Sequence, residues 1–202
     1  MDNPLTPDNA VLMFVDHQTG LLLAVDSLHA ALLKNNIGAL ARVATIYGLP
    51  VILTVSAATN PQGPGPLVPE LRDAFPGQPV IDRTTVDAWD DPRVVAAIAQ
   101  TGRRKVVVAG IATDAGVAFT ALSAARAGYE AYVVTDASAT WSAQAETAAL
   151  LRLSQAGVVP MSWVAVAAEL QADWSRPTAG ALADLLQTHI ARWGYVAAHG
   201  GA

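Results

Sequence analysis

The sequence predicts an α/β fold, a doubly wound and mainly parallel six-stranded sheet with helices on both faces in three layers. Two observations carry that expectation: short runs rich in Val, Ile and Leu recur along the chain, and helical patterns fill the intervals between them. The runs are VLMFVD (11–16), PVILTVS (50–56), PVID (79–82), KVVVAGI (105–111), EAYVVTD (130–136) and VVPMSW (158–163). Runs of this kind mark strands buried on both faces. Helical spacing is clearest in KNNIGALARVATIYG (34–48), DPRVVAAIAQTG (91–102), DAGVAFTALSAARAG (114–128) and SAQAETAALLRLSQAG (142–157). Gly48, Gly102, Gly128 and Gly157 stand where a left-handed residue closes a helix.

Two segments fall outside this alternation. In AATNPQGPGPLVP (57–69) seven residues are Gly, Pro or Asn, so it is a loop, long enough to shape a pocket mouth or to serve as a plain surface connection. The stretch 177–196 carries Leu182, Leu185, Leu186, Ile190 and Trp193 near helical spacing after a proline, and predicts an arm (about 175–202) that packs on the domain or on a neighbouring subunit.

A chain of 202 residues without linker or repeat is expected to form one domain over 1–202. With 52 % hydrophobic and only 14 % charged residues, a small monomer would expose large apolar areas, so a homo-oligomer is expected. A net charge of −5, with the lysines and arginines scattered, argues against nucleic acid as a partner. The N-terminus MDNPLTPDNA has no basic leader, and no apolar stretch reaches membrane-spanning length uninterrupted, so a cytoplasmic protein with no membrane partner is expected. The absence of cysteine excludes disulfides, thiolate metal sites and thiol catalysis.

In open parallel sheets ligands bind beyond the carboxyl ends of the strands. Asp16 closes the apolar run 11–16, where a carboxylate is costly unless paired or used; capping the next turn is the alternative. GIATDAGV (110–117) joins a strand to a helix whose N-cap is expected at Thr113 or Asp114, turning first-turn amides toward the crevice. Arg83 follows PVID among Asp82, Asp87, Asp90 and Asp91, a setting that by itself reads as a surface ion pair of little value.

Taken together, VLMFVDHQTGLL, VIDRTTVDAW and GIATDAGVAFTALSAARAGYEAYVVTDAS resemble the isochorismatase-like hydrolases, over almost the whole chain. NNIGALA, GLPVILT, GPLVPEL, VDAWDDP and ELQADW resemble the YcaC-related subgroup. The resemblance implies a Rossmann-like three-layer sandwich, and a site in which an aspartate, a lysine and a cysteine open amide-like bonds through a thioester. The matching positions here are Asp16, Arg83 and Gly116. It also implies a non-proline cis peptide at Ile111–Ala112 that aims an oxyanion-binding amide, and assembly into octamers; no cofactor is expected. Some relatives bind a metal after the second strand, but VSAATNPQGP offers neither carboxylate nor imidazole, and His17, His29, His189 and His199 lack ligand spacing, so no metal is expected. The amides of Ile111, Ala112, Ala115, Gly116 and Val117 are the candidate oxyanion donors. Gln18, Trp89 and Phe119, with Trp141, are the candidate pocket walls for a small-molecule substrate or ligand.

Glycine cannot attack a carbonyl, which leaves three readings of Gly116. The first is a hydrolase of a small carbonyl- or carboxylate-containing molecule that needs no covalent step, as in the true isochorismatases, with Asp16 as general acid toward a vinyl ether and Arg83 and the turn amides holding carboxylates. The second is an inactive family member that binds small molecules or acts as a scaffold. The third is an engineered replacement of the cysteine of a cysteine amidohydrolase.

Overall fold

The computed structural model describes residues 4–194. Strands β1 (Ala10–Val15), β2 (Val51–Ser56), β3 (Val80–Arg83), β4 (Lys105–Gly110), β5 (Glu130–Val134) and β6 (Val159–Met161) form one sheet in the order β3-β2-β1-β4-β5-β6. Every ladder is parallel. The strand order switches direction between β1 and β4, β2 and β3 being added on one side and β5 and β6 on the other, so a crevice opens beyond their carboxyl ends.

Alternation along β1 shows why the run is apolar throughout. Ala10, Leu12 and Phe14 enter one core, Val11, Met13 and Val15 the other. The first core is closed by α2 (Ala30–Tyr47), α7 (Trp163–Gln171) and α8 (Ala179–His189); the second by α4 (Pro92–Gln100), α5 (Ala118–Arg126) and α6 (Ala143–Gln155). The short helices α1 (Thr19–Leu22) and α3 (Pro69–Arg72) complete the first layer. All four predicted stop glycines have positive φ, and Gly48 caps α2 in the left-handed conformation.

Three boundaries differ from expectation. Helix α2 begins at Ala30 rather than 34, because the His29 ring accepts from the Ala31 N–H and starts the helix a turn earlier. The run 158–163 is strand only over 159–161; Ser162 then accepts from the Ala165 N–H and starts α7, unforeseen in the sequence. The predicted C-terminal helix ends at His189, where Asn35 takes up the His189 carbonyl, and the rest of the arm beyond 194 lies outside the described residues.

Candidate active site

Asp16 follows β1 directly and adopts the left-handed conformation, φ 54°, which breaks strand alternation at the crevice. Such a backbone costs about 1–3 kcal/mol in a non-glycine residue and persists only where its surroundings enforce it. Its N–H donates to Thr54 O at 3.0 Å, and its carbonyl accepts from Gln18 at 2.7 Å.

Arg83 is the last residue of β3, in register with Ser56 of β2. It stands two strands, roughly 10 Å, from β1, and only a long side chain spans that gap past Ser56. Its Nη2 donates to Asp16 Oδ2 at 2.5 Å, and Nη1 donates to the carbonyls of Thr85 and Val86. With Asp16 6 % and Arg83 2 % exposed, the surface-pair expectation for Arg83 is corrected: this is a buried pair, screened by neither solvent nor salt. Burial pushes the Asp16 carboxyl up to about 6; the guanidinium offsets part of that rise, and Asp82 adds to it.

The turn 113–117 follows β4, and Ile111–Ala112 is cis. A Cβ built on Gly116 would lie 3.5 Å from Asp16 Oδ2 and 3.5 Å from Val15 Cγ1. Asp16, Arg83 and position 116 therefore converge, from β1, β3 and the turn after β4.

Several expected contributors do other work. The turn is a π-type turn entered from Ala112 with no side-chain cap, so neither Thr113 nor Asp114 is the N-cap; the Asp114 carboxylate instead accepts from Thr140 Oγ1 at 2.5 Å. Among the oxyanion donors, the Ile111 N–H is spent on Val15 O at 2.9 Å, and the Ala115 and Val117 N–H groups both go to Ala112 O at 3.2 Å. That removes three of the five and leaves Ala112 and Gly116 to carry the oxyanion reading.

The pocket walls change as well. The fully buried Gln18 amide donates to Ser56 O and Gly65 O and accepts from Ser56 N, stapling the loop after β2 to the end of β1. Trp89 packs edge-on against Tyr129, which precedes β5, and Phe119, half-buried against the second core, lies under the Arg152 guanidinium. Helix periodicity fixes which residues share a face but not which neighbour covers it. Trp141 stands half-exposed on the segment after β5.

The sequence signalled poorly what supports the site. The Asp82 carboxylate holds the Ala58 and Thr59 amides, fixing the start of the 57–66 loop, which Thr19 and Gly20 tie down again through Pro66 O and Pro64 O. Behind the 113–117 turn, Thr140 N–H donates to Ser27 Oγ, and Ser27 Oγ donates to Glu146, whose carboxyl burial pushes up. His17, fully buried, gives its Nε2 proton to Ala137 O at 2.9 Å, and burial lowers it to about 4. A cavity of about 680 Å³ lined by Gly48, Val51, Phe75, Gln78 and Thr101 lies at the opposite, amino-terminal ends of β2 and β3 and touches none of the three converging residues. Among the described residues no three His, Asp or Glu side chains gather closely enough to hold a metal ion.

The isochorismatase domain model matches residues 10–165, which include all three converging positions. The chain belongs to the isochorismatase family. Within this family it is similar to the probable hydrolase YcaC of Escherichia coli, 44 % identical over 187 residues, covering 92 % of this chain and 88 % of the relative. A crystal structure of the Escherichia coli YcaC gene product, described as an octameric hydrolase of unknown specificity, matches with TM-score 0.91 and 42 % identity over 96 % of this chain and 95 % of that one. YcaC from Pseudomonas aeruginosa, solved with hexane-2,5-diol and covalent acrylamide, matches with TM-score 0.94 and 38 % identity over 100 % and 99 % of the two chains. The chain is thus an isochorismatase-like, YcaC-related family member with the family's six-stranded α/β sheet.

Proposed function

We propose that this protein hydrolyses a small carbonyl- or carboxylate-bearing molecule without a covalent side-chain intermediate, Asp16 moving the proton and Arg83 fixing the carboxylate that moves it. Gly116 then stands where cysteine hydrolases of the family carry their nucleophile. The observation that carries the reading is the convergence itself: the Gly116 Cβ direction ends 3.5 Å from the Asp16 carboxylate that Arg83 grips. A carboxyl pushed up to about 6 is present in both protonation states near neutrality, as proton transfer in either direction requires. Arg83 keeps its proton throughout and serves as a fixed charge.

A homo-oligomer goes with this reading. Leu23, 88 % exposed, and Val86 and Trp141 are apolar side chains open to solvent on the segments that follow β1, β3 and β5, and the related Escherichia coli protein is octameric. One observation favours a second reading, binding without turnover: position 116 is glycine and supplies no nucleophilic side chain beside Asp16. Turnover of isochorismate and of small amides, measured beside thermal-shift binding of the same compounds, separates the two. Turnover that disappears in Asp16→Asn supports the hydrolase; binding with no turnover anywhere supports the second reading.

A further inference from the structure

The loop 57–66 is tied at two places that differ in kind. At its return, the Gln18 side chain donates to Gly65 O at 2.6 Å, the Thr19 and Gly20 N–H groups donate to Pro66 O and Pro64 O at 3.0 and 2.8 Å, and the Val68 N–H donates to His17 O at 2.8 Å. The Gln18 amide also donates to Ser56 O at 3.1 Å and accepts from Ser56 N at 2.8 Å, which staples the neck of the loop shut. Gln18 is fully buried, so breaking this tie would leave its amide without partners and away from water.

At its start, three successive N–H groups are held by two residues of β3. Ala57 donates to Arg83 O at 3.0 Å, Ala58 to Asp82 Oδ1 at 3.1 Å and Thr59 to Asp82 Oδ2 at 3.3 Å. Thr59 is exposed and Ala58 only half-buried, so water can take the place of the carboxylate. Ala57 has φ 49°, a left-handed backbone that a non-glycine residue holds only under constraint, and release of this tie relaxes it. Between the ties the loop folds back on itself: Gly63 N–H donates to Asn60 O at 2.8 Å, and a Cβ on Gly63 would lie 2.3 Å from Ala57 O. The tip is therefore one compact piece with Ala57.

The two ties carry the loop across the end of β2, from β3 to the residues after β1, the same interval that the Arg83 side chain crosses to reach Asp16. Asp82 is a firm post for it, in register with Val55 of β2 and with its carbonyl accepting from Arg93 Nη2 at 2.7 Å. We propose that Asp82 is a positioning residue: its carboxylate latches the loop to β3 as a strap across the Asp16–Arg83 pair, and the strap opens at this end, on a hinge at Gln18, to admit a small substrate. What enters rests on the hydrolase reading; the latch and the hinge do not. Asp82 touches no reacting atom and acts through Arg83 and the loop. Its charge also bears on the pair, since it adds to the rise of the Asp16 carboxyl.

Amide hydrogen exchange on the full wild-type chain, corrected for intrinsic rates, tests the hinge. The Ala58 and Thr59 amides are expected to exchange at least about 10-fold faster than those of Thr19, Gly20 and Val68. In Asp82→Ala, exchange over 57–63 is expected to rise by about another 10-fold while the β1 and β4 amides keep their protection. Asp82→Asn, which keeps one acceptor oxygen, is expected to fall between. Titration of Asp16 by carbon-13 NMR supplies a reading that a purely structural role would not move. Its midpoint, about 6 in wild type, is expected to drop in Asp82→Asn with the lost charge, and further in Asp82→Ala as solvent reaches the carboxyl. Equal protection at the two ties, a Gln18 end that opens first, or an Asp16 midpoint indifferent to both substitutions overturns the inference. No substrate enters these measurements, so a wild type inert toward small amides and isochorismate overturns the hydrolase reading alone.

Discussion

Replacing His17 by glutamine isolates one acid-sensitive element of the fold. The ring is fully buried, donates from Nε2 to Ala137 O, leaves Nδ1 without a partner and is lowered to about 4 by desolvation. In the unfolded chain histidine takes its proton near 6.5. Between those values the unfolded state binds a proton that the folded state refuses, so stability is full above about 6.5 and is lost as pH falls toward 4. Linkage over that window gives a loss of about 2 kcal/mol at pH 5 and about 3 kcal/mol at pH 4. Asp16, pushed up to about 6, works in the opposite sense, holding a proton in the folded state that the unfolded chain releases. The two nearly cancel in wild type, which hides both. Glutamine can still donate to Ala137 O but does not titrate, so the difference between wild type and His17→Gln contains the histidine contribution alone. Urea unfolding of both proteins at pH 7, 6, 5 and 4, at one protein concentration, measures it. The difference is expected to move by about 3 kcal/mol in favour of the variant from pH 7 to pH 4. A difference that stays flat across that range refutes the assignment of His17 as a buried neutral ring.

Further outcomes concern the site. Gly116→Cys is expected to yield a thiol that iodoacetamide alkylates at least about 10-fold faster than free cysteine at pH 7; a rate no faster than free cysteine refutes the convergence of Asp16 and the turn on that position. Arg83→Met leaves Asp16 buried without its counter-ion and is expected to cost about 3–5 kcal/mol in chemical denaturation, and a loss below about 1 kcal/mol would show an exposed pair. Gly110→Ala is expected to cost at least about 2 kcal/mol because its methyl meets Val15 O, whereas Gly116→Ala stays within about 1 kcal/mol of wild type. Equal melting points for those two variants would contradict the packing of β1 on β4.

Parts of the candidate site are legible in the sequence itself. Asp16 at the end of an apolar run, and GIATDAGV between a strand and a helix, mark the crevice because desolvation makes a carboxylate there expensive. The packing partners of the expected pocket walls are not legible in the sequence. Trp89 and Phe119 lie near those motifs in sequence, yet Trp89 packs on Tyr129 and Phe119 under Arg152, since the side of a helix that a residue occupies depends on what packs against it. Gln18 is adjacent to the site but spends its amide on Ser56 and Gly65. The π-type turn, unlike a plain helix start, consumes the Ala115 and Val117 N–H groups at Ala112 O, which local sequence pattern does not disclose. Helix α7 escaped because its apolar residues continue from β6 with only Ser162 to divide them.

The sequence alone determined the layers, the strand runs, the helix stops and the absence of any thiol, because these depend on composition, periodicity and single-residue backbone preferences, all local. Only the tertiary structure decided that Arg83, 67 residues from Asp16, crosses the end of β2 to reach it, and that Gly116 faces the same carboxylate. Strand order is a non-local property: it brings β3, β1 and β4 to one crevice, and with them a charge pair and an open position that no stretch of sequence holds together.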